Sequence, residues 1–469
     1  MNVVLVSNRV AFAGSTGTVQ GGLAAALARA VEKRGALWLG WSGNLSKAEG
    51  GPVLPSLSAA GAGTIATVDL PERHFAGFYN SMANSALWPL LHNRSDLLTF
   101  DASGLASYKA VNEYIARAVM RVSDGSSLVW VHDYHFMMVA EYLRRFGFRG
   151  RIGFFLHTPF PGRSTLACLP HHTEVLGALL SYDLLGFQTF DDQAFFEDYA
   201  EHELGAIPER PGTLRYGRHS VRLGAFPVGI DVDQFAQMAA GGLHAPTTVQ
   251  LRNSLKGAKV VVGVDRLDYS KGLSQRFDGY RRFFDFFPDQ KGRVTFLQIT
   301  PPTRSQVSAY QQVRRQVATM VGDINGRFSD LDWSAIRYVN KSYSPRTLAG
   351  LYRMSPVACV TPLRDGMNLV AKEYVAAQDP EDPGVLVLST FAGSARELDA
   401  AILVNPYDTD ELARCIERAL SMPLGARRER WSAMMAVLRA NDIEHWYDRF
   451  VHALEHVAGD ARLPLAAGA

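Results

Sequence analysis

The sequence predicts an α/β fold built on parallel sheets covered on both faces, and three observations carry that expectation. Short, almost wholly apolar runs recur along the chain, longer segments of helical period separate them, and clusters of polar residues follow the runs directly. The chain's 469 residues, 47% apolar and 20% charged, are enough for two to four domains. The first strand is VVLVS (3–7), followed by a helix over 22–35. LVWVH (128–132) precedes a helix over 136–147, and RIGFFLH (151–157) is the next strand. In the second half the apolar runs 259–265, 293–299, 336–340, 357–362 and 384–389 read as strands. Helical patterns cover 272–287, 308–321, 345–355 and 368–378 between them.

The rhythm breaks at 207–250. LRYGR and SVRLGAF flank HS there as a hairpin, and a Gly-, Ala- and Thr-containing stretch follows. This places one domain at 1–237, a second at 238–442, and a last helix from 443 that caps the second domain or crosses back to the first.

Forty-eight Lys and Arg against 46 Asp and Glu leave a net charge of +2, which argues against a dedicated nucleic-acid binder. No run approaches the roughly 18 apolar residues of a membrane span. The N-terminal stretch lacks the pattern of a signal peptide. Cys168, Cys359 and Cys415 form no CxxC pair and read as buried thiols in a reducing compartment. A cytoplasmic location is expected.

In open parallel sheets ligands bind beyond the carboxyl ends of the strands. Arg9 follows the first strand, and Gly21-Gly22 opens the helix after it, where backbone N–H groups can approach a ligand. Arg266 and Lys271 follow the strand at 259–265 and suit a diphosphate, and Arg304 follows the next strand. In TPLRDGMNLVAKE, Asp365 can accept from sugar hydroxyls, helix-start N–H groups can hold phosphate, and Glu373 can bind a ribose diol. The bland alternatives are a helix cap for Asp365 and a lysine pair for Glu373. His132 and His135 lack a third ligand for a metal, and Asp231 and Asp233 read as turn chemistry.

The runs VSNRV, GGLAAAL, LWLGWSG, FYNSMANSALWP, VWVHDYH, GFFLHTPFP, YDLLGFQT, VDRLDYSKGL, TPLRDGMNLVAKEYVAAQDP, GVLVLSTFAG and LVNPYD recur in order from residue 6 to about 408. In this the chain resembles the trehalose-6-phosphate synthases. The resemblance implies a GT-B fold: two Rossmann-like domains whose parallel sheets face each other across a deep cleft. It implies a retaining glucosyltransferase that moves glucose from UDP-glucose to glucose 6-phosphate, giving α,α-trehalose 6-phosphate and UDP in trehalose biosynthesis.

By the same resemblance, Arg266 and Lys271 bind the donor diphosphate and Glu373 the ribose. The stretch Asp365, Gly366, Met367, Asn368, Leu369 and Val370 holds the donor sugar and phosphate, and Gly21 and Gly22 approach the donor through backbone. Arg9, Tyr79, Asp133 and Arg304 meet the acceptor, with Trp41 and Trp88 shaping its pocket. Asp133 and His157 lie by the reacting centre with the two donor-side cations. No cofactor or metal is implied, the partners are the two small-molecule substrates, and a homo-oligomer is left open. Two alternatives stand at this point: a relative using another nucleotide (ADP or GDP) or acceptor (glycerol 3-phosphate or a cyclitol phosphate), and a catalytically silent sugar-nucleotide sensor.

Overall fold

The computed structural model describes residues 2–10, 22–47, 53–303 and 307–457. The chain divides into two units, Met1–Pro227 with Trp446–Ala469, and Val228–His445. The boundary therefore lies after Pro227 rather than after residue 237. Residue 237 falls inside a helix, Val232–Gly242, whose start is capped by the Asp231 carboxylate accepting from the Gln234 N–H. The Gly, Ala and Thr content that reads as a linker instead lets helices pack closely: a Cβ on Gly242 would run into the backbone of Arg346 and Gly350. The final helix, Ile443–Glu455, falls from Trp446 onward with the first unit.

In the first unit the strands are β1 (Val3–Arg9), β2 (Leu37–Ser46), β3 (Ser56–Ala60), β4 (Gly63–Pro71), β5 (Leu128–His132), β6 (Ile152–Phe155), β7 (Leu184–Phe187), β8 (Ile207–Arg210), β9 (Thr213–Tyr216) and β10 (His219–Ala225). Among the described residues they form one sheet in the order β3-β4-β2-β1-β5-β6-β7-β10-β9-β8. The strands from β4 to β10 in that order are mutually parallel; β3, β9 and β8 attach antiparallel. The hairpin forms, but Tyr216 pairs with His219, so the turn is Gly217-Arg218 and His219-Ser220 belong to the strand. Gly217 takes the positive φ (59°) that such a tight turn needs.

The second unit has β11 (Lys259–Val264), β12 (Val294–Ile299), β13 (Ile336–Val339), β14 (Val357–Val360), β15 (Val385–Ser389) and β16 (Ile402–Val404). They pair in parallel in the order β13-β12-β11-β14-β15-β16, the doubly wound Rossmann arrangement. One core layer includes Val262, Val360, Tyr374 and Leu388, and the other Val261, Phe277, Phe296 and Cys359. Alternate residues of the same strands thus feed opposite faces, which is why these strands read as unbroken apolar runs.

The cysteine expectation needs correcting. Cys359 and Cys415 are buried, but Cys168 is exposed, since it lies in the turn after the short helix Arg163–Leu166. A π-helix over Ala76–Leu87 was not foreseen. Its side chains reinforce the wide turn: Asn84 Nδ2 donates to the Tyr79 carbonyl and Ser85 Oγ to that of Asn80, each five residues back, at 2.8 Å. No helix among the described residues is long and apolar enough to cross a membrane.

Candidate active site

Each sheet has a switch point where successive strands begin to be added on the other side, and the candidate residues flank both. In the first unit the switch lies between β1 and β5. Arg9 ends β1, and Asp133 follows β5. In the second it lies between β11 and β14. Arg266 and Lys271 follow β11, and Asp365 follows β14. The crevice beyond such a point is where open sheets bind ligands.

In the first unit the candidates form a connected set. The Arg9 guanidinium lies over the Trp41 ring, 5.5 Å from its centroid, and Trp41 meets Tyr79 at 6.4 Å. Tyr79, on the π-helix, stacks with His135 at 6.0 Å; His135 packs on Tyr134, and Tyr134 on Trp88. The Tyr134 hydroxyl also donates to Asn84 Oδ1 on the π-helix (3.0 Å). Asp133 adopts φ 72° and ψ 166°, a conformation that costs a non-glycine residue roughly 1–3 kcal/mol and persists where the surroundings enforce it. Hydrogen bonds help hold it: its N–H donates to the Phe155 carbonyl (2.8 Å), and its Oδ1 accepts from the His157 N–H (3.3 Å). His157 is thereby tied to Asp133, and burial lowers its imidazole to about 3.

In the second unit Lys271 Nζ donates to Asp365 Oδ2 at 2.6 Å, and Asn368 Nδ2 donates to the same oxygen at 2.9 Å. The Asp365 side chain is thus held by Lys271 and Asn368, and the helix Leu369–Ala377 that follows has no side-chain cap at Asn368. Leu369 and Val370 open that helix, where N–H groups lack intrahelical acceptors. The loop is locked from behind: Asp365 N–H donates to Phe391, Gly393 N–H to Asp365, and Ser394 N–H to Met367. Gly393 sits so close that a Cβ would overlap the Gly366 carbonyl oxygen. Glu373 does not pair with its lysine neighbour. Lys372 is fully buried and reaches Glu397 (2.6 Å) and the Val228 carbonyl (2.8 Å). Burial raises the Glu373 carboxyl to about 7. Arg266 is exposed. Gly22 opens the helix Gly22–Arg34, while Gly21 and Arg304 lie outside the described residues. Among the described residues no group of three or more His, Cys, Asp or Glu side chains converges as a metal site would require.

The family model for glycosyltransferase family 20 matches residues 10–456. The chain belongs to glycosyltransferase family 20. A trehalose-6-phosphate synthase of Klebsiella pneumoniae is 44% identical over 463 residues, covering 97% of this chain and 95% of that protein. A UDP-forming α,α-trehalose-phosphate synthase of Burkholderia xenovorans, solved in complex with glucose-6-phosphate, is 43% identical with a TM-score of 0.92, covering 97% of this chain and 100% of the other. An Escherichia coli structure bound with UDP-2-fluoro glucose is 40% identical with a TM-score of 0.92, covering 98% and 100%. The two Rossmann-like units of this family 20 chain are those of a GT-B glycosyltransferase.

Sequence reasoning missed residues that shape this family 20 site from beneath. Arg276 is fully buried; it donates to Asp265, to Gln298 Oε1 (3.0 Å), to Thr361 Oγ1 (2.9 Å) and to the Lys271 carbonyl (3.3 Å). It ties the segment carrying Lys271 to β12 and to the end of β14. The signal was present: Arg276 stands among Leu273, Phe277 and Tyr280 on the apolar face of its helix, where an unpaired charge would be costly.

Proposed function

We propose that these residues divide the work of UDP-forming α,α-trehalose-phosphate synthesis as follows. Glucose passes from UDP-glucose to the anomeric hydroxyl of glucose 6-phosphate with retention of donor configuration. Arg266 and Lys271 hold the diphosphate, the start of the helix Leu369–Ala377 receives phosphate and sugar oxygens, and Glu373 accepts from the ribose hydroxyls. Asp365 accepts from a glucose hydroxyl once the donor draws Lys271 towards its phosphates. Arg9 and Arg304 bind the acceptor phosphate, with Tyr79, Asp133, Trp41 and Trp88 around the sugar, and His157 lies beside the transferred glucose. One observation supports this most: Arg9 and Asp133 flank the switch point of the first sheet, and Arg266, Lys271 and Asp365 that of the second.

The chemistry balances without a protein nucleophile. The bond from glucosyl C1 to the UDP oxygen breaks as C1 binds the acceptor oxygen on the same face. The acceptor proton passes to the departing β-phosphate. Arg266, Lys271 and helix N–H groups stabilise the charge gathering there, acting as preorganised electrostatics. The positive charge supplied by these two side chains is our reason for reading the reaction as metal-independent. The unpaired cysteines fit a reducing, cytoplasmic setting. UDP release measured across UDP-, ADP- and GDP-glucose with glucose 6-phosphate, glycerol 3-phosphate and a cyclitol phosphate tests the reading. Strong release is expected with UDP-glucose plus glucose 6-phosphate, and release with no pair would point to a sensor.

A further inference from the structure

Two imidazoles meet at the ends of neighbouring strands in the first unit. His132 closes β5 and is fully buried; His157 follows β6. His132 Nδ1 lies 3.2 Å from His157 Nε2. Burial keeps both rings neutral, so the bond between them carries a single proton. That proton has two placements. If His157 donates from Nε2, the proton of His132 must sit on its own Nε2. This atom is buried and has no hydrogen-bond partner among the described residues. Trp130 and Trp446 are among its ring neighbours, with centroids 4.6 and 6.1 Å away, and their indole nitrogens are likewise buried without partners among the described residues. Indole N–H groups can only donate, so a third donor there would be orphaned, the rarer and costlier case. If His132 donates from Nδ1 instead, its Nε2 carries only a lone pair. His157 Nε2 then accepts, and the proton of His157 lies on Nδ1.

We propose that His132 is a positioning residue that fixes His157 as its Nδ1–H tautomer. The free nitrogen of His157 is therefore a hydrogen-bond donor, and the group it serves is an oxygen acceptor of the transferred sugar. This last step rests on the reading that His157 lies beside the glucose; the tautomer does not. Asp133 contributes orientation, since its Oδ1 accepts from the His157 backbone N–H.

The test is a multiple-bond ¹H–¹⁵N correlation spectrum of enzyme labelled at histidine, with the His157 signals identified by their loss in His157→Ala. A protonated-type Nδ1 and a bare Nε2 are expected at neutral pH; the reverse assignment overturns the proposal even if no variant of His132 folds. His132→Asn retains a donor near the Nδ1 position, and His132→Leu does not. His132→Leu should lower kcat about tenfold with both KM values little changed, and His132→Asn should recover most of that loss. Equal turnover of the two variants, both folded by their melting temperatures, also overturns it. Addition of UDP-glucose should shift the Nδ1 signal. An unchanged signal alongside the expected tautomer would reject the placement of His157 beside the sugar while leaving the role of His132 intact.

Discussion

Lys271→Ala removes the ammonium held 2.6 Å from Asp365. An ammonium about 4 Å from the charge building on the departing diphosphate is worth about 4 kcal/mol at an effective dielectric of about 20. Loss of one preorganised donor of this kind costs ~10²–10³ in turnover. The Lys271 side chain is 9% exposed, so water replaces the lost charge poorly. The same change leaves Asp365, 15% exposed, with Asn368 as its remaining side-chain donor among those described. A broken buried pair costs ~3–5 kcal/mol, and partial exposure together with the Asn368 bond reduces this to about 1–2 kcal/mol. Melting temperature should fall by a few degrees. The double variant Lys271→Ala/Asp365→Asn should regain that stability and none of the turnover. UDP release at saturating donor and acceptor, together with thermal melts, checks both halves. Turnover of the single variant within about tenfold of the parent would refute the electrostatic role of Lys271.

Further outcomes follow from the same geometry. The Glu373 carboxyl, raised from 4.5 to about 7, offers both of its oxygens as acceptors to a diol only when ionised, so KM for UDP-glucose should rise as pH falls through 7, and Glu373→Gln should flatten that profile. The folded protein holds this proton above the unfolded pKa, so the contribution to stability is full below 4.5 and is lost as pH rises through about 7. Arg9→Gln should raise KM for glucose 6-phosphate by roughly 10–100-fold through a lost charged hydrogen bond; an equal loss with unphosphorylated glucose would remove Arg9 from the phosphate. Gly393→Ala should push the Gly366 carbonyl away and weaken UDP binding at least about tenfold by calorimetry, and parent-like affinity would contradict that packing. Dialysis against a chelator should leave turnover unchanged, and recovery by added divalent cation would overturn the metal-independent reading.

Four strands of the second unit, β11, β12, β14 and β15, are legible because each is buried on both faces and is written as a largely apolar run, whereas β16, three residues long with Leu403 exposed, goes unread. β2 was harder to see, for Gly40, Ser42, Gly43 and Asn44 interrupt its pattern, and Gly40 is required where a Cβ would strike the Ser7 carbonyl. Gly43 takes φ 100° and leaves room for the Arg9 guanidinium. The π-helix could not be read from period, because tertiary partners such as Tyr134 help hold it and no propensity marks it. At the site, Lys271 and Asp365 stand out as charges soon after apolar runs, and Glu373 as a carboxylate in the second turn of the helix that follows. Their partners do not: Asn368 reaches back to Asp365, and Arg276 is hidden in an apolar helix face. The lysine pair weighed for Glu373 does not form with Lys372, because neighbours along a helix point in different directions, and Lys372 reaches Glu397 instead.

The way the chain enters and leaves the second unit has a practical meaning. Ile443 N–H donates to the Ile230 carbonyl at 3.2 Å, and Gly229 lies so close to Asn441 and Asp442 that a Cβ would collide with both. The two ends of the unit are therefore side by side. In the first unit, Arg449 reaches the Ala225 carbonyl at 3.5 Å, so its cut ends are neighbours too. The second unit is an excisable cassette, spliced into a host through one doorway, and residues 228–445 can be transplanted between relatives as a single piece.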